Sequence, residues 1–418
     1  MSGQGLRGRF REQLEQLNNP HVERFDRLRD FIANELHERY SNLPRMTEVI
    51  SILNPSKQTY SNMGIRFIGH KKKLLPSILE VITETVPDDT EWIADLFAGT
   101  ATVSAGLKQE GYHVIANDLL SQSQVSARAL LCNNPHPEFG PLVDTAEGLE
   151  EVPDMFLQRS GYSRVLSYLN QIPGREGFFY NQYSPEGTEH LDEPRQYFTT
   201  DNAKKIDACR AQIKSWNEQG LLTPDEHALL LYDLIKATNE VANIAGTYGA
   251  YLKTWYERAK EPLELTPTNI PAGPTEHEIY QRDANELAKE IDVDAVYLDP
   301  PYTKRQYASY YHIPETIAEE DEPNVSGKTG LRPWEEKSSD YCHKRRAGDE
   351  LADLIDALSA EYIFLSYSDE GHISESELET ILSDFGTVTR HEFNHARFKS
   401  NENASSGELT ESVYSIVK

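Results

Sequence analysis

The chain is short of three things: cysteine, positive charge and long apolar runs. Only three cysteines occur in 418 residues, Cys132, Cys209 and Cys342, and no two of them form a C-x-x-C pair. That excludes a disulfide framework and a zinc knuckle, and no metal site is expected. No apolar stretch approaches the roughly 20 residues needed to span a bilayer. Met1-Ser2-Gly3-Gln4 leads into a charged, helix-patterned segment without the apolar centre of a signal peptide. The expectation is a soluble, reduced, cytoplasmic protein with no membrane partner. Internal repeats and long low-complexity tracts are missing as well.

The shortage of positive charge is the sharpest. Lys and Arg number 41 against 68 Asp and Glu, a formal net charge of −27. Duplex affinity normally comes from cations that neutralise phosphates, so the balance alone argues against a nucleic-acid partner. The acid is spread over helix faces and loops, as at Asp88-Asp89, Glu150-Glu151 and 319–322, and is not gathered in one tail. Diffuse acidity of this degree resembles that of proteins from salt-in halophiles. At molar salt the Debye length is about 3 Å, and net charge then loses both its long-range veto and its long-range help. The acidity therefore speaks to the cytosol in which the chain works more than to its partner.

What the chain does have is enough apolar material, 38% of residues, for a substantial core, and a length that suits two to three domains or one domain with a large insertion. Residues 1–60 read as amphipathic helices, with Phe10, Leu14 and Leu17 and then Phe25, Leu28, Phe31, Ile32 and Leu36 at helical spacing. From Trp92 the pattern changes. An apolar run to Phe97 meets the small-residue turn Ala98-Gly99-Thr100-Ala101, a helical stretch runs to Glu110, and 113–118 reads as a second strand, which makes a βαβ unit. Between about 135 and 275 the alternation is lost; the segment carries aromatic clusters, one strong helix near 225–241 and a closing run of prolines. Strand patterns resume at 279–282, 295–299 and 362–366, then a helix at 374–382, and 387–393 with 413–417 would close the sheet as an antiparallel pair. Five parallel candidates and two terminal strands are the tally of the seven-stranded methyltransferase variant of the doubly wound α/β fold. The implied layout is an N-terminal helical extension (1–60), a catalytic domain in two pieces (61–135 and 276–418) and an inserted, mostly helical domain (136–275).

Three motifs carry chemistry. Asp299-Pro300-Pro301-Tyr302 ends an apolar strand, the place where ligands sit in open α/β sheets. Methylating an exocyclic amine requires drawing out a lone pair that is delocalised into the ring. A carboxylate and a prolyl carbonyl that accept the two amine hydrogens favour the pyramidal, attacking nitrogen. Consecutive prolines fix that carbonyl and offer no competing N–H, and Tyr302 could stack on a base taken out of the helix. The bland reading is a rigid turn after a strand. The second motif, 95–101 followed by Asn117-Asp118, pairs a small-residue turn with an acid at the end of the next strand, placed for ribose hydroxyls. Ala101, where a third glycine is usual, suits a cofactor without a pyrophosphate, such as S-adenosylmethionine. The third motif is 64–75, which holds Lys71-Lys72-Lys73; in isolation it is equally a solvated face.

Taken together, in order and spacing, these segments resemble the adenine-N6-specific DNA methyltransferases whose cofactor motif lies at the N-terminal side, the FokI-methylase-like restriction-modification family. The likeness spans about 62–418 and extends to Arg195-Gln196-Tyr197-Phe198-Thr199, Ala242-Asn243, Tyr311-His312, Gly327-Lys328-Thr329-Gly330 and Leu365-Ser366-Tyr367-Ser368. It implies that Phe67, Gly69 and Lys71 line an S-adenosylmethionine pocket, and that Asp95, Phe97, Ala98 and Gly99 hold the methionine moiety. Asp118 would then bind the ribose and Asp283 the cofactor's adenine amine, while Asp299, Pro300, Pro301 and Tyr302 form the catalytic site. Ala101 and His70 depart from the family pattern, neither removing a needed functional group, and Thr303 stands where Asn is frequent after the tyrosine.

The expected reaction is methyl transfer to the N6 amine of a flipped adenine in double-stranded DNA, by direct displacement, in restriction-modification or host defence with a cognate endonuclease as partner. Arg305 and Tyr307 follow the catalytic turn and are candidates for DNA contact; 343–346 and 397–401 are the other local cation clusters, equally readable as surface counter-charge. The alternatives are methylation of RNA adenine, cytosine N4 or protein glutamine, and a non-catalytic nucleic-acid-binding scaffold. The acid that opens Asp299-Pro300-Pro301-Tyr302, where glutamine enzymes usually carry Asn and cytosine enzymes Ser, favours adenine.

Overall fold

A computed structural model describes residues 71–135, 137–146, 149, 160–396 and 408–418. The proposed helical extension 1–60, the residues Phe67 and Gly69, and the cation cluster at 397–401 lie outside the described residues.

The first element, α1 (Leu75–Thr85), starts on a proline in its first turn and buries Leu75, Ile78, Leu79 and Ile82 on one side; Val86 turns extended before Pro87 and ends it. A βαβ unit of β1 (Trp92–Asp95), α2 (Thr102–Gln109) and β2 (His113–Asn117) follows, its two strands parallel neighbours. After β2 come α3 (Ser121–Leu131) and then the segment that interrupts the alternation: α4 (Gly140–Thr145), α5 (Gly161–Gln171), α6 (Phe178–Tyr183), α7 (Thr200–Glu218) and α8 (Pro224–Glu240). The α8 start is a capping box. Thr223 Oγ1 accepts the Glu226 N–H at 3.2 Å, and Glu226 Oε2 accepts the Thr223 N–H at 3.0 Å.

Alternation returns with β3 (Glu278–Tyr280), α9 (Ala284–Leu287) and β4 (Ala295–Leu298), and continues through α10 (Tyr307–Tyr310), α11 (His312–Ala318) and α12 (Ala347–Ala357). Then come β5 (Tyr362–Ser368), α13 (Glu375–Ser383), β6 (Thr387–Ala396) and β7 (Glu408–Val417). The strands form one seven-stranded sheet in the order β3-β2-β1-β4-β5-β7-β6. Neighbours from β3 to β5 are parallel, and β7 runs antiparallel to both β5 and β6. Both the strand count and the closing antiparallel pair agree with the expectation. The four residues of β4 are all buried, as a central parallel strand covered by helices on both faces requires. No described helix is long and apolar enough to cross a membrane.

The inserted helices are bound closely to the sheet's helical layer. From them α8 packs along α3 and α11, with Arg128 paired to Asp225 at 2.7 Å and Asn133 Nδ2 donating to the Asp225 carbonyl. Several segments that carry the family likeness form a buried lock on this side. Arg195 donates to the carbonyls of Gly327 (3.0 Å) and Lys328 (3.2 Å), and the Tyr183 hydroxyl to that of Gly330 (3.0 Å). Tyr197 and His312 both reach the Tyr248 carbonyl, at 2.7 and 3.0 Å.

Candidate active site

The sheet order reverses between β1 and β4, and a cavity opens there at the carboxyl ends of the parallel strands. One end of it is built from β1, β2 and β3. Asp95, the last residue of β1, is buried; its Oδ2 accepts from Ser104 Oγ at 2.6 Å, while Oδ1 has no hydrogen-bond partner. Burial pushes the Asp95 carboxyl up to about 7 against the Ser104 hydrogen bond that lowers it, and the Asp299 and Asp118 charges add to the rise. The turn that follows takes Gly99 (φ 53°) and Ala101 (φ 55°) through the left-handed region, which lets the backbone fold flat beneath the cavity. Gly99 N–H donates to Asp118 Oδ2 and Leu120 N–H to Asp118 Oδ1, both at 2.9 Å. Burial still lifts Asp118 to about 6.

Asn117 ties the three strand ends together. Its Nδ2 donates to the carbonyls of Leu96 and Arg282, and its Oδ1 accepts the Arg282 N–H at 3.0 Å. That junction delivers Asp283 to the same cavity, where its Oδ1 also caps α9 by accepting from the N–H groups of Asn285 and Glu286. Phe97 and Ala98 line the cavity too, with Phe97 edge-on to Tyr341 at 5.2 Å between centroids.

The other end grows from β4. Asp299 follows the strand directly and its side chain is 18% exposed, towards the cavity; behind it lie Lys71 and Glu411, 3% and 8% exposed. The Lys71 ammonium sits 3.1 Å from Asp299 Oδ1 and 3.0 Å from Glu411 Oε1. It also stands over the Tyr302 ring, 5.5 Å from its centroid, and the Tyr302 hydroxyl donates to Glu411 Oε1 at 3.4 Å. Burial works against the Lys71 charge, yet Asp299, Tyr302 and Glu411 together hold its pKa well above the ordinary lysine value. For Asp299 burial dominates and raises the carboxyl to about 6; Lys71 opposes that rise and Glu411 adds to it. Pro300 and Pro301 complete the turn, and Tyr302 leans on Tyr367 at 5.7 Å.

A strap over 335–342 forms the cavity's outer wall, contributing Lys337, Ser338, Ser339 and Tyr341. Gln306 pins it with a reciprocal pair, Nε2 to the Ser339 carbonyl at 2.9 Å and Oε1 from the Ser339 N–H at 2.8 Å.

The motifs at 95–101, 117–118 and 299–302 thus share one cavity with Lys71 and Asp283. Arg305 and Tyr307 part company: Arg305 is exposed, whereas Tyr307 is half-buried in the cavity wall, stacked on Tyr311 at 6.1 Å. The residues at 343–346 are all exposed, and Arg346 is paired with Asp340. Sequence reading missed Glu411, because strand pattern is visible only from Val413; β7 in fact starts at Glu408. A carboxylate two residues before an apolar strand run is the signal that was available. It also missed the strap and Gln306, which carry no periodic signature. Among the described residues no group of three or more His, Cys, Asp or Glu side chains is arranged to hold a metal ion.

Sheet order and cavity together define the α/β methyltransferase class of fold. Within that class, the chain belongs to the D12 class N6 adenine-specific DNA methyltransferase family, whose family model matches residues 67–381. It is 38% identical over 360 residues to the Type II methyltransferase M.FokI of Planomicrobium okeanokoites, an alignment covering 85% of this chain and 53% of that protein. Modification methylase StsI of Streptococcus sanguinis is 36% identical, with 84% of this chain and 52% of that one covered. The Type II methyltransferase M.NlaIII of Neisseria lactamica is 35% identical over 81% of this chain and 93% of its own length. The chain therefore spans about half the length of the first two relatives and nearly all of the third.

Proposed function

We propose that this chain transfers a methyl group from S-adenosylmethionine to the N6 amine of adenine in double-stranded DNA, as the modification half of a restriction-modification pair. The observation that carries the reading is the meeting, in one cavity, of the Asp299-Pro300-Pro301-Tyr302 turn with the acid-tipped ends of β1 and β2. The residues present suit the cofactor. Asp95 Oδ1 is a buried carboxylate oxygen without a partner, the acceptor that the ammonium of a methionine moiety needs. Asp118 spends one lone pair of each oxygen on a backbone N–H and keeps others for ribose hydroxyls. When bound, S-adenosylmethionine supplies a methyl group activated by its sulfonium charge.

The protein's part is to prepare the acceptor nitrogen. Asp299 and the Pro300 carbonyl would accept the two amine hydrogens, which favours a pyramidal nitrogen with its lone pair turned towards the cofactor end. Tyr302 offers a ring face for an extruded base, and the half-buried Tyr307 walls the same space. The strap pinned by Gln306 lines the same cavity. Exposed Arg305 and Lys304, next to the turn, are placed for the phosphates that flank the extruded base, and the inserted helices are the candidates for reading sequence.

The test is incubation of unmethylated plasmid DNA with S-adenosylmethionine and the purified protein at low and at molar KCl, followed by mass spectrometry of the nucleosides, with Asp299→Ala alongside. N6-methyladenine from the wild type and none from the variant is the expected result. N4-methylcytosine alone would overturn the choice of base. Thermal stabilisation by S-adenosylmethionine without any DNA product would move the acceptor to RNA or protein.

A further inference from the structure

We infer that Glu411 is a positioning residue for the acceptor site: its carboxylate takes a share of the Lys71 ammonium and so leaves Asp299 free to accept from the target amine. The inference rests on the proposed reading of the cavity and concerns a residue on the last strand of the sheet, more than a hundred residues from Asp299 in sequence.

The geometry is a buried row of one cation between two carboxylates. Lys71 lies 3.1 Å from Asp299 and 3.0 Å from Glu411, and of the three side chains only that of Asp299 opens appreciably to the cavity. If Lys71 met Asp299 alone, the two would form a closed, neutral pair. A carboxylate so paired is a weak acceptor, because an incoming amine would compete with a full ammonium for the same oxygen. Glu411 on the far side converts the pair into a row with net charge −1, and the excess charge resides where the cavity can use it. The same Glu411 oxygen accepts from the Tyr302 hydroxyl, so one side chain on β7 fixes both the cation behind the catalytic carboxylate and the ring beside it.

Among the described residues nothing else on the neighbouring elements could substitute. The groups that bear on Asp299 besides Lys71 and Glu411 are the Tyr302 and Tyr307 hydroxyls, Tyr297 on β4, whose hydroxyl is spent on Ser366, and Asp95 on β1. Opposite Glu411 the sheet offers only Ser368 on β5 and Phe393 on β6, and the charged residues of α1, Glu80 and Glu84, are exposed. The direction of the electrostatics agrees: Glu411 raises the Asp299 carboxyl and Lys71 lowers it.

The experiment compares Glu411→Gln and Glu411→Asp with the wild type in steady-state methyl transfer to plasmid DNA across pH 5 to 9. A calorimetric Kd for S-adenosylmethionine and a melting temperature are measured for each protein. The expected result for Glu411→Gln is a fall in kcat of about tenfold or more, smaller than the roughly 10²–10⁴-fold that loss of an acid–base group itself costs. KM for DNA and the cofactor Kd stay near wild type, and the acid limb of the rate profile moves to lower pH; Glu411→Asp recovers part of the rate. A merely structural Glu411 would lower the melting temperature and leave the acid limb in place, and that outcome overturns the inference. Should the wild type transfer no methyl group, the proposed function fails on its own. The inference is then decided by carbon-13 carboxyl titration, using the resonance that Asp299→Asn removes: its midpoint falls in Glu411→Gln if the inference holds, and an unmoved midpoint overturns it.

Discussion

The two ends of the cavity are built on different principles. The proposed cofactor end is mostly local: Asp95, the 96–101 turn, Asn117 and Asp118 come from one βαβ unit and the residue after it, backbone N–H groups there fix Asp118, and only Asp283 arrives from afar, through the Asn117–Arg282 junction. The acceptor end is assembled at long range, from a residue before α1, the turn after β4 and a strand at the far end of the chain. A local site can be held by hydrogen bonds to its own main chain, whereas a dispersed one must be held by charge and by the sheet that brings its parts together. The cofactor end should therefore tolerate changes at the acceptor end, and the reverse.

The strongest test of that independence is Asp299→Ala. Methyl transfer should fall by about 10²–10⁴-fold, while calorimetry should show the S-adenosylmethionine Kd within about twofold of wild type. Loss of cofactor binding in that variant would break the comparison. Asp95→Asn, which keeps the shape and the Ser104 hydroxyl contact, should do the opposite. It removes the charge proposed to face the cofactor ammonium, and a charged hydrogen bond worth about 1.5–3 kcal/mol corresponds to a Kd weakened about ten- to a hundredfold, read by the same titration.

A smaller effect separates the two ends by pH. Asp95 titrates at about 7 and Asp118 and Asp299 at about 6 in the folded protein, all raised first by burial. A carboxyl whose folded pKa is raised holds its proton better folded than unfolded. It contributes stability below the unfolded value near 4 that is lost as pH rises through the folded value. Between pH 4 and 7 these three groups thus favour the ligand-free fold at the acid end of the window. Cofactor binding needs Asp95 charged and should weaken as pH falls through 7. Opposite slopes of melting temperature and affinity, both flattened in Asp95→Asn, are the expected outcome.

The smallest effect concerns Ala101, buried and left-handed at the start of α2. A left-handed alanine costs about 1–2 kcal/mol, but glycine there would lose a packed methyl and gain unfolded-state freedom. Ala101→Gly should change unfolding free energy by about 1 kcal/mol or less, with cofactor affinity unmoved.

Legibility followed the same division. That Asp95, the 96–101 turn and Asp118 would meet at one cavity could be read because they are near one another in sequence and the turn demands small side chains. The Asp299 turn could be read because consecutive prolines after an apolar strand are rare. Lys71 came through the family likeness alone, since three lysines in a row have no periodicity that singles out one. Glu411 stayed hidden because only strand pairing reveals that it points inwards, and Gln306 because its partner is a main-chain amide in an irregular strap.

By itself the sequence determined the strand tally, the closing antiparallel pair and the acid-tipped turns, because each of these follows from periodicity, turn chemistry or local spacing. The tertiary structure alone decided that Arg305 faces solvent while Tyr307 enters the cavity, that the inserted helices lie along α3 and α11, and that a cation from before α1 stands between carboxylates of β4 and β7. Those are relations between segments far apart in the chain. They come into being only when the sheet closes and burial obliges each charge to find its partner.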